Sequence, residues 1–372
     1  MPKNYLREII LFRTEAIIDS SNLIHNLNYI KNQLNDNVLI MPVVKANGYG
    51  HGDVEICKIL SKNNVNGFCV ALINEVIDLR KNNINDKILH LGCFEHIFHK
   101  IMLDKNLILT LNTIDDVIFL EEIGKKYNHK FNVHIKLDTG MVRLGFLKDE
   151  IQDLSNILTE SNNIKVEGIY TQLTSADEND QIHTDKQRQI FIEISNFLEQ
   201  NIGKIKHKHI TPSAGILKDK KNHFDLVRPG ISLYGICNVN EKHNLKPVMK
   251  VVAPVLIIKN IEPGSTIGYN RTFNVNKKIK IAILQTGYAD VVPLNFSNKG
   301  YVEYNNFKLN ILGKVSMDLL CIDVTNINIE IGDKVTIFGG DLTRLEDIAN
   351  KSKNSSYSIL TNITKRVKRL YV

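Results

Sequence analysis

The chain has 372 residues, 43% hydrophobic and 23% charged, with a formal net charge of +7; this is an ordinary globular composition, long enough for two domains or a barrel with an appendage. No apolar run reaches a membrane span, and the N-terminal MPKNYLREIILFRTE carries charge where a signal peptide needs an apolar stretch, so a cytoplasmic protein without a membrane partner is expected. Basic residues are interleaved with 40 acids, and the tail TKRVKRLYV, which alone concentrates charge, lacks a recognition helix or stacking array beside it, so a solvated face and no nucleic-acid partner are expected.

From residue 38 to 235, short apolar, β-branched runs alternate with stretches of helical period. The strand candidates in chain order are VLIMPVV, VNGFCVAL, KILHLG, LILTLN, FNVHIKL, IKVEGIYTQL, HKHIT and the region around FDLVRPGISLYG, eight in all. Helical segments such as NEVIDLRKN, IDDVIFLEEIGKKY and TDKQRQIFIEISNFLEQ separate them, as parallel strands require. This pattern predicts an α/β protein, a (β/α)8 TIM barrel. Further on, PVMKVVAPVLIIKNI, KIKIAILQTGY, YVEYNNFKLNILGKV, LLCIDVT and DKVTIFGG follow with little helix between them, which predicts a mainly antiparallel β domain. One helix candidate, LTRLEDIANKS, interrupts it, with Thr343 and Asp347 near its start. The barrel is expected over 1–240 and the β domain over 241–372, with the first ~12 residues able to join the latter.

Lys45, in MPVVKANGYGHG, ends the first strand at the C-terminal mouth, where barrel enzymes build their sites. As the only charge in an apolar strand, its ammonium should be desolvated, favouring the neutral amine that attacks an aldehyde. On strand position alone a paired or snorkelling lysine is the commoner explanation, by roughly two to one. Cys57, Cys69, Cys93, Cys237 and Cys321 form no CxxC pair, so neither a metal nor a disulfide framework is expected.

The neighbours of Lys45 overturn the commoner explanation. VVKANGYGHG closely resembles the cofactor-lysine motif of the fold-type III alanine racemases. HIKLDTGMVRLGF, EGIYTQLTSADE, DLVRPGISLYG, IGYNRTF, LQTGYAD and KVSMDLLCIDVT resemble further motifs of that family, in its order and across nearly the whole chain. The resemblance implies an isomerase dependent on pyridoxal 5'-phosphate that interconverts L- and D-alanine and supplies D-alanine for peptidoglycan, with Lys45 holding the cofactor covalently. It also implies that Tyr49, Ser213, the backbone of Gly230 and Ile231, and Tyr357 hold the cofactor phosphate. Ser213 and Gly230 follow the seventh and eighth strands, where barrels commonly form phosphate sites.

Arg228 resembles the arginine that faces the cofactor's ring nitrogen. Arginine does not readily give up a proton, so the ring stays a weaker electron sink, which suits reprotonation over transamination. Racemisation needs acid/base groups on both faces of Cα. Lys45 is one; Tyr269 in IGYNRTF resembles the other, which the family contributes from the partner subunit, and this implies a head-to-tail homodimer. Arg143 resembles the arginine that orients the substrate carboxylate, and Lys136, seven residues earlier, resembles a lysine often carbamylated in the family. Met317 and Asp318 resemble the segment whose backbone helps bind the substrate carboxylate, and Asp177 and Tyr288 resemble residues lining the substrate corridor.

The chain departs from the family at the site itself. Gln172 stands where a histidine usually stacks on the cofactor ring; its amide can cover the ring but cannot titrate. Pro212 replaces the asparagine before the phosphate-binding serine, VVPLN stands where an arginine is usual in the corridor, and Ser358 follows Tyr357 in place of an acid. Other functions of related folds fit less well. Cofactor-holding homeostasis proteins resemble the barrel alone, and the decarboxylases of this architecture carry a glycine-rich phosphate loop and a cysteine-containing substrate loop not found here. A broad-spectrum racemase acting on serine or basic amino acids remains the alternative.

Overall fold

The computed structural model describes residues 13–237, 239 and 243–372. The described residues divide into two compact units, one within residues 22–246 and one of residues 13–21 with 247–372. The division falls six residues beyond the expected boundary at 240/241, and the β unit takes in the strand Glu15–Ile18. The expectation for the first ~12 residues lies outside the described residues.

In the first unit, all eight strand candidates form parallel strands. Phe68–Val70, Ile88–His90, Leu107–Leu111, Phe131–Lys136, Ile164–Tyr170 and His207–His209 pair in that order, and Leu39–Ile40 pairs with Leu226–Val227. Two contacts close the ring: Val43 bridges Cys69, and the amides of Asp225 and Arg228 donate to the carbonyls of Lys208 (3.0 Å) and Thr211 (3.2 Å). The result is a (β/α)8 barrel. Its helices follow local sequence logic. Thr113 caps Ile114–Tyr127 by accepting from the Asp116 amide, while the Asp116 carboxylate accepts from the amides of Asn112 and Thr113.

The barrel interior is more polar than its apolar runs suggest. His90, Thr110, His134 and His209 are fully buried, and Tyr170, Arg228 and Lys136 nearly so. Burying such groups is costly unless they are hydrogen-bonded or paired, so the partners they have matter for the site.

The second unit is an eight-stranded sheet around the long strand Met249–Ile261, which pairs antiparallel with Glu15–Ile18, Lys334–Phe338 and Ile279–Leu284. Tyr301–Tyr304 and Phe307–Asn310 form a hairpin whose two turn residues, Asn305 and Asn306, both have positive φ, as a two-residue turn of this hand demands. Three details differ from expectation. A second helix, Ser356–Thr361, follows Leu345–Ser352; it is one and a half turns long, too short for a visible period, and its Ser355 cap was the available signal. Asp347 lies in the first turn of Leu345–Ser352, but Thr343 does not cap it, because its hydroxyl donates to Glu303 (3.0 Å). The basic tail is an edge strand, Lys368–Tyr371, parallel to Glu15–Ile18, and Arg369 folds back onto the carbonyls of Ile363, Thr364 and Val367. Among the described residues, no helix is long and apolar enough to cross a membrane.

Candidate active site

Lys45 sits just past its strand, at the start of a turn in which Ala46, Asn47, Gly48 and Tyr49 all have φ between 51° and 59°. A left-handed turn costs each L-residue about 1–2 kcal/mol, so something must hold it. The Gly48 amide donates to the Val44 carbonyl (2.8 Å) and the Gly50 amide to that of Ala46 (3.0 Å). Glu75 accepts from the amides of Ala46 (2.6 Å), Ala71 (2.8 Å) and Leu72 (3.0 Å) and so ties the turn to the next strand. The rest of the motif packs inward: the His51 ring stacks on Tyr234 at 4.4 Å, and the Tyr234 hydroxyl donates to the Val43 carbonyl. Lys45 is half-buried, and its amine is held below the usual lysine range by desolvation first and Arg143 second, opposed by Glu75. Two charges from other elements, Arg143 and Glu75, thus act on it, and the direction of its shift is the expected one.

Beside this turn, three residues from distant parts of the unit converge. The Ser213 hydroxyl accepts from the backbone amides of Gly230 (2.8 Å) and Ser232 (3.2 Å). A Cβ on Gly230 would stand 2.7 Å from the Tyr49 hydroxyl and 3.8 Å from Ser213 Oγ. Tyr49, Ser213 and Gly230 thus enclose a small cradle, lined by two hydroxyls and the Gly230 backbone, that only glycine leaves open; the Ser213 hydroxyl, accepting from both amides, has its proton left to donate, which fits a phosphate. Ile231 is buried at the start of the following turn. Pro212 precedes the helix Ser213–Lys218 and offers no side-chain cap.

Arg228 lies in the barrel centre. Its guanidinium stacks on the Tyr170 ring (4.8 Å) and donates to the Thr171 carbonyl (2.8 Å), to His209 Nδ1 and, at 3.5 Å, to Gln172 Oε1. Gln172 thus meets the arginine through its side chain. Because arginine only donates, His209 Nδ1 must accept; Nε2 then carries the proton and donates to His134 Nδ1 at 2.8 Å. Burial keeps both histidines neutral, His134 at a pKa of about 3. Arg228 is therefore held without an anion among these partners. Lys136 is also buried, its Nζ 4.6 Å over the Tyr170 ring. Desolvation, with Arg228 and Arg143, brings its amine down to about 7.

Arg143 follows a loop organised by Asp138, whose carboxylate accepts from the amides of Gly140, Met141, Val142 and Arg143 at 2.8–3.0 Å. Burial raises the Asp138 pKa, but these bonds outweigh it and hold the carboxyl below its ordinary range. Glu75, Asp138, Tyr170, His209 and His134 all escaped the sequence reading. The acids that follow a strand or open a helix were the signal for the first two; the inward period-2 positions of FNVHIKL and HKHIT were the signal for the histidines. Asp177 is exposed, and its backbone carbonyl lies 3.5 Å from Lys218 Nζ.

In the β unit, the LQTGYAD and VSMD segments lie against each other. Amides of Tyr288 and Ala289 donate to the carbonyls of Ser316 and Met317 (both 3.1 Å), and a Cβ on Gly287 would stand 2.2 Å from the Met317 oxygen. Tyr288 and Met317 are about half exposed. Asp318 pairs with Arg366 at 2.7 Å. Tyr269 opens a short turn after Gly268 (φ 81°) and is 68% exposed; Tyr357, on Ser356–Thr361, is also exposed.

The alanine racemase N-terminal domain model matches residues 18–238 and the C-terminal domain model residues 248–371. The chain is 37% identical over 365 residues to an alanine racemase of Halothermothrix orenii, covering 96% of both, and 36% identical to that of Methanococcus maripaludis, covering 96% of this chain and 98% of the relative. Among solved structures, it is similar to an alanine racemase of Clostridium difficile 630 (TM-score 0.92, 32% identity, 97% and 96% covered). It is also similar to one of Bartonella henselae with covalently bound pyridoxal phosphate (TM-score 0.87, 31% identity, 97% and 99% covered).

Proposed function

The chain belongs to the alanine racemase family and is an amino-acid racemase that uses pyridoxal 5'-phosphate to interconvert L- and D-alanine, and from that premise we propose that Lys45 and Tyr269 are its two acid/base groups. The observation that carries the assignment is the half-buried Lys45 amine, lowered by desolvation and set on a rigid turn beside the Tyr49, Ser213 and Gly230 cradle. Lys45 would hold the cofactor aldehyde carbon. Tyr49, Ser213, the N–H groups of Gly230 and Ile231, and Tyr357 would hold its phosphate, Arg228 its ring nitrogen, and Gln172 would cover its ring. When bound, the cofactor withdraws electrons from the substrate Cα–H bond and makes that proton acidic.

The chain's own residues do the rest. Arg143 and the Met317 backbone bind the substrate carboxylate, and Asp318 steadies the Met317 segment through Arg366. One of the two groups, Lys45 Nζ or Tyr269 Oη, takes the Cα proton while the other delivers one to the opposite face; the reverse reaction exchanges the roles. Arg228, held by neutral acceptors, keeps its charge and donates without releasing a proton. Asp177 and Tyr288 line the substrate corridor. Tyr269 and Met317 reach their substrate from a second subunit, so the working protein is a head-to-tail homodimer with shared sites. It works in the cytoplasm on a small amino acid, without nucleic-acid or membrane partners, and supplies D-alanine for peptidoglycan.

Lys136 is carbamylated in this reading. A neutral amine reacts with carbon dioxide, forming an N–C bond and releasing one proton to solvent, and the product is a carbamate anion that attracts Arg228 and Arg143 where an ammonium would repel both. An amine with a pKa of about 7 is neutral above that pH and protonated below it. A carbamate resonance from carbon-13 bicarbonate should therefore be present at alkaline pH, fade as the pH falls through about 7, and be absent in Lys136→Gln. An unlabelled wild-type protein at alkaline pH contradicts this.

The roles of Lys45 and Tyr269 are tested by assaying purified protein on alanine, serine, lysine and arginine. Alanine should be preferred. Lys45→Ala should lose the visible absorbance of the bound cofactor with its activity, and Tyr269→Phe should keep the absorbance while losing about 100-fold or more in at least one direction. Intact absorbance with no racemisation of any amino acid sinks the assignment; broad turnover transfers it to a broad-spectrum racemase.

A further inference from the structure

A second concave site lies wholly within the β unit. It encloses about 530 Å³ and is lined by four lysines, Lys299, Lys314, Lys351 and Lys353, with no Asp or Glu among its described lining residues. Its volume lies in the range of small-molecule sites. Among the described residues, none of the four lysines takes part in an ion pair, although other cations of this unit do. Lys351 rests over the Tyr301 ring at 4.7 Å. Asn298 is fixed in the wall, accepting from the Gly313 amide (2.6 Å) and donating to Thr272 Oγ1 (3.0 Å), which leaves the Thr272 hydroxyl proton for another acceptor. Four ammonium groups around one concavity repel each other and focus a positive potential into it.

We propose that this pocket binds a small phosphate-bearing polyanion. An amino-acid zwitterion fits poorly, since its own ammonium would meet four like charges. With a single apolar lining side chain, Leu294, the pocket also disfavours an apolar ligand. An anion with several charges relieves the repulsion of all four lysines and gives the Thr272 hydroxyl an acceptor. The wall includes Asn270, which follows Tyr269, and Lys314, three residues before Met317, so the ligand binds next to the segments proposed to reach the substrate. The assignment does not depend on their catalytic roles.

The test is calorimetric titration of the cofactor-loaded enzyme, whose phosphate cradle is filled, with inorganic tripolyphosphate at low ionic strength. One site per subunit is expected, weakening as salt rises. Affinity should fall at least about ten-fold in Lys299→Gln/Lys353→Asn, which removes two charge-assisted contacts. Asn suits position 353 because its φ is 53°. A control with the same charge loss on the barrel surface, Lys165→Gln/Lys204→Gln, should leave affinity within about two-fold. No saturable binding by the wild type, or equal losses in the two double variants, overturns the proposal.

Discussion

Gly230 shows how one atom controls the cradle. Its missing Cβ leaves the space beside Tyr49 Oη, 2.7 Å away, and Ser213 Oγ, 3.8 Å away. In Gly230→Ala the new methyl must displace the Tyr49 hydroxyl, so cofactor affinity measured by dialysis should drop at least about ten-fold. Adding Tyr49→Phe removes the clashing oxygen, and the double variant should lose less than the sum of the two single changes. Simple addition would show that the methyl acts elsewhere. Lys45, Tyr49 and Gly230 were legible because each lies in a contiguous motif, and Ser213 because it follows the seventh strand, where barrels commonly form phosphate sites. Their support was not: Glu75, Asp138 and His209 are common residue types whose roles come from the backbone amides of a folded loop, as for Asp138, or from partners distant in sequence, Ala46 for Glu75 and Arg228 for His209.

At the scale of elements, most of the eight barrel strands were readable as short apolar runs bounded by turn residues, and His207–His209, which is polar, from its place in the alternation with helical segments. The left-handed turn was not, since the KANGYG segment contains glycines but its strain falls on Ala46, Asn47 and Tyr49. This strain sets a prediction. Ala46 is exposed, so Ala46→Gly removes little buried surface and relieves a left-handed alanine. Against the entropy that glycine adds to the unfolded chain, the net gain should be about 0.5–1 kcal/mol in denaturant unfolding. A loss of stability would mean that the alanine methyl is needed in the turn. The second short helix escaped because six residues show no period, and the Thr343 and Arg369 side chains because their partners, Glu303 and the carbonyls of Ile363, Thr364 and Val367, are set only by the folded backbone.

At the scale of the whole molecule, Lys45 belongs to the barrel unit and Tyr269 to the β unit, where it is exposed at a turn. If each site draws its lysine from one chain and its tyrosine from another, two inactive variants can repair each other. A mixed dimer of Lys45→Ala and Tyr269→Phe chains holds one site with both groups intact and one with neither. Random pairing makes half the dimers mixed, so activity should approach about a quarter of the wild-type value. The decisive measurement is alanine racemisation by the two variants, first separately and then after unfolding and refolding together with the cofactor. The account requires near-zero activity for each alone and recovery toward that quarter in the mixture; a mixture as inactive as its parts, with mixed dimers present, would contradict it.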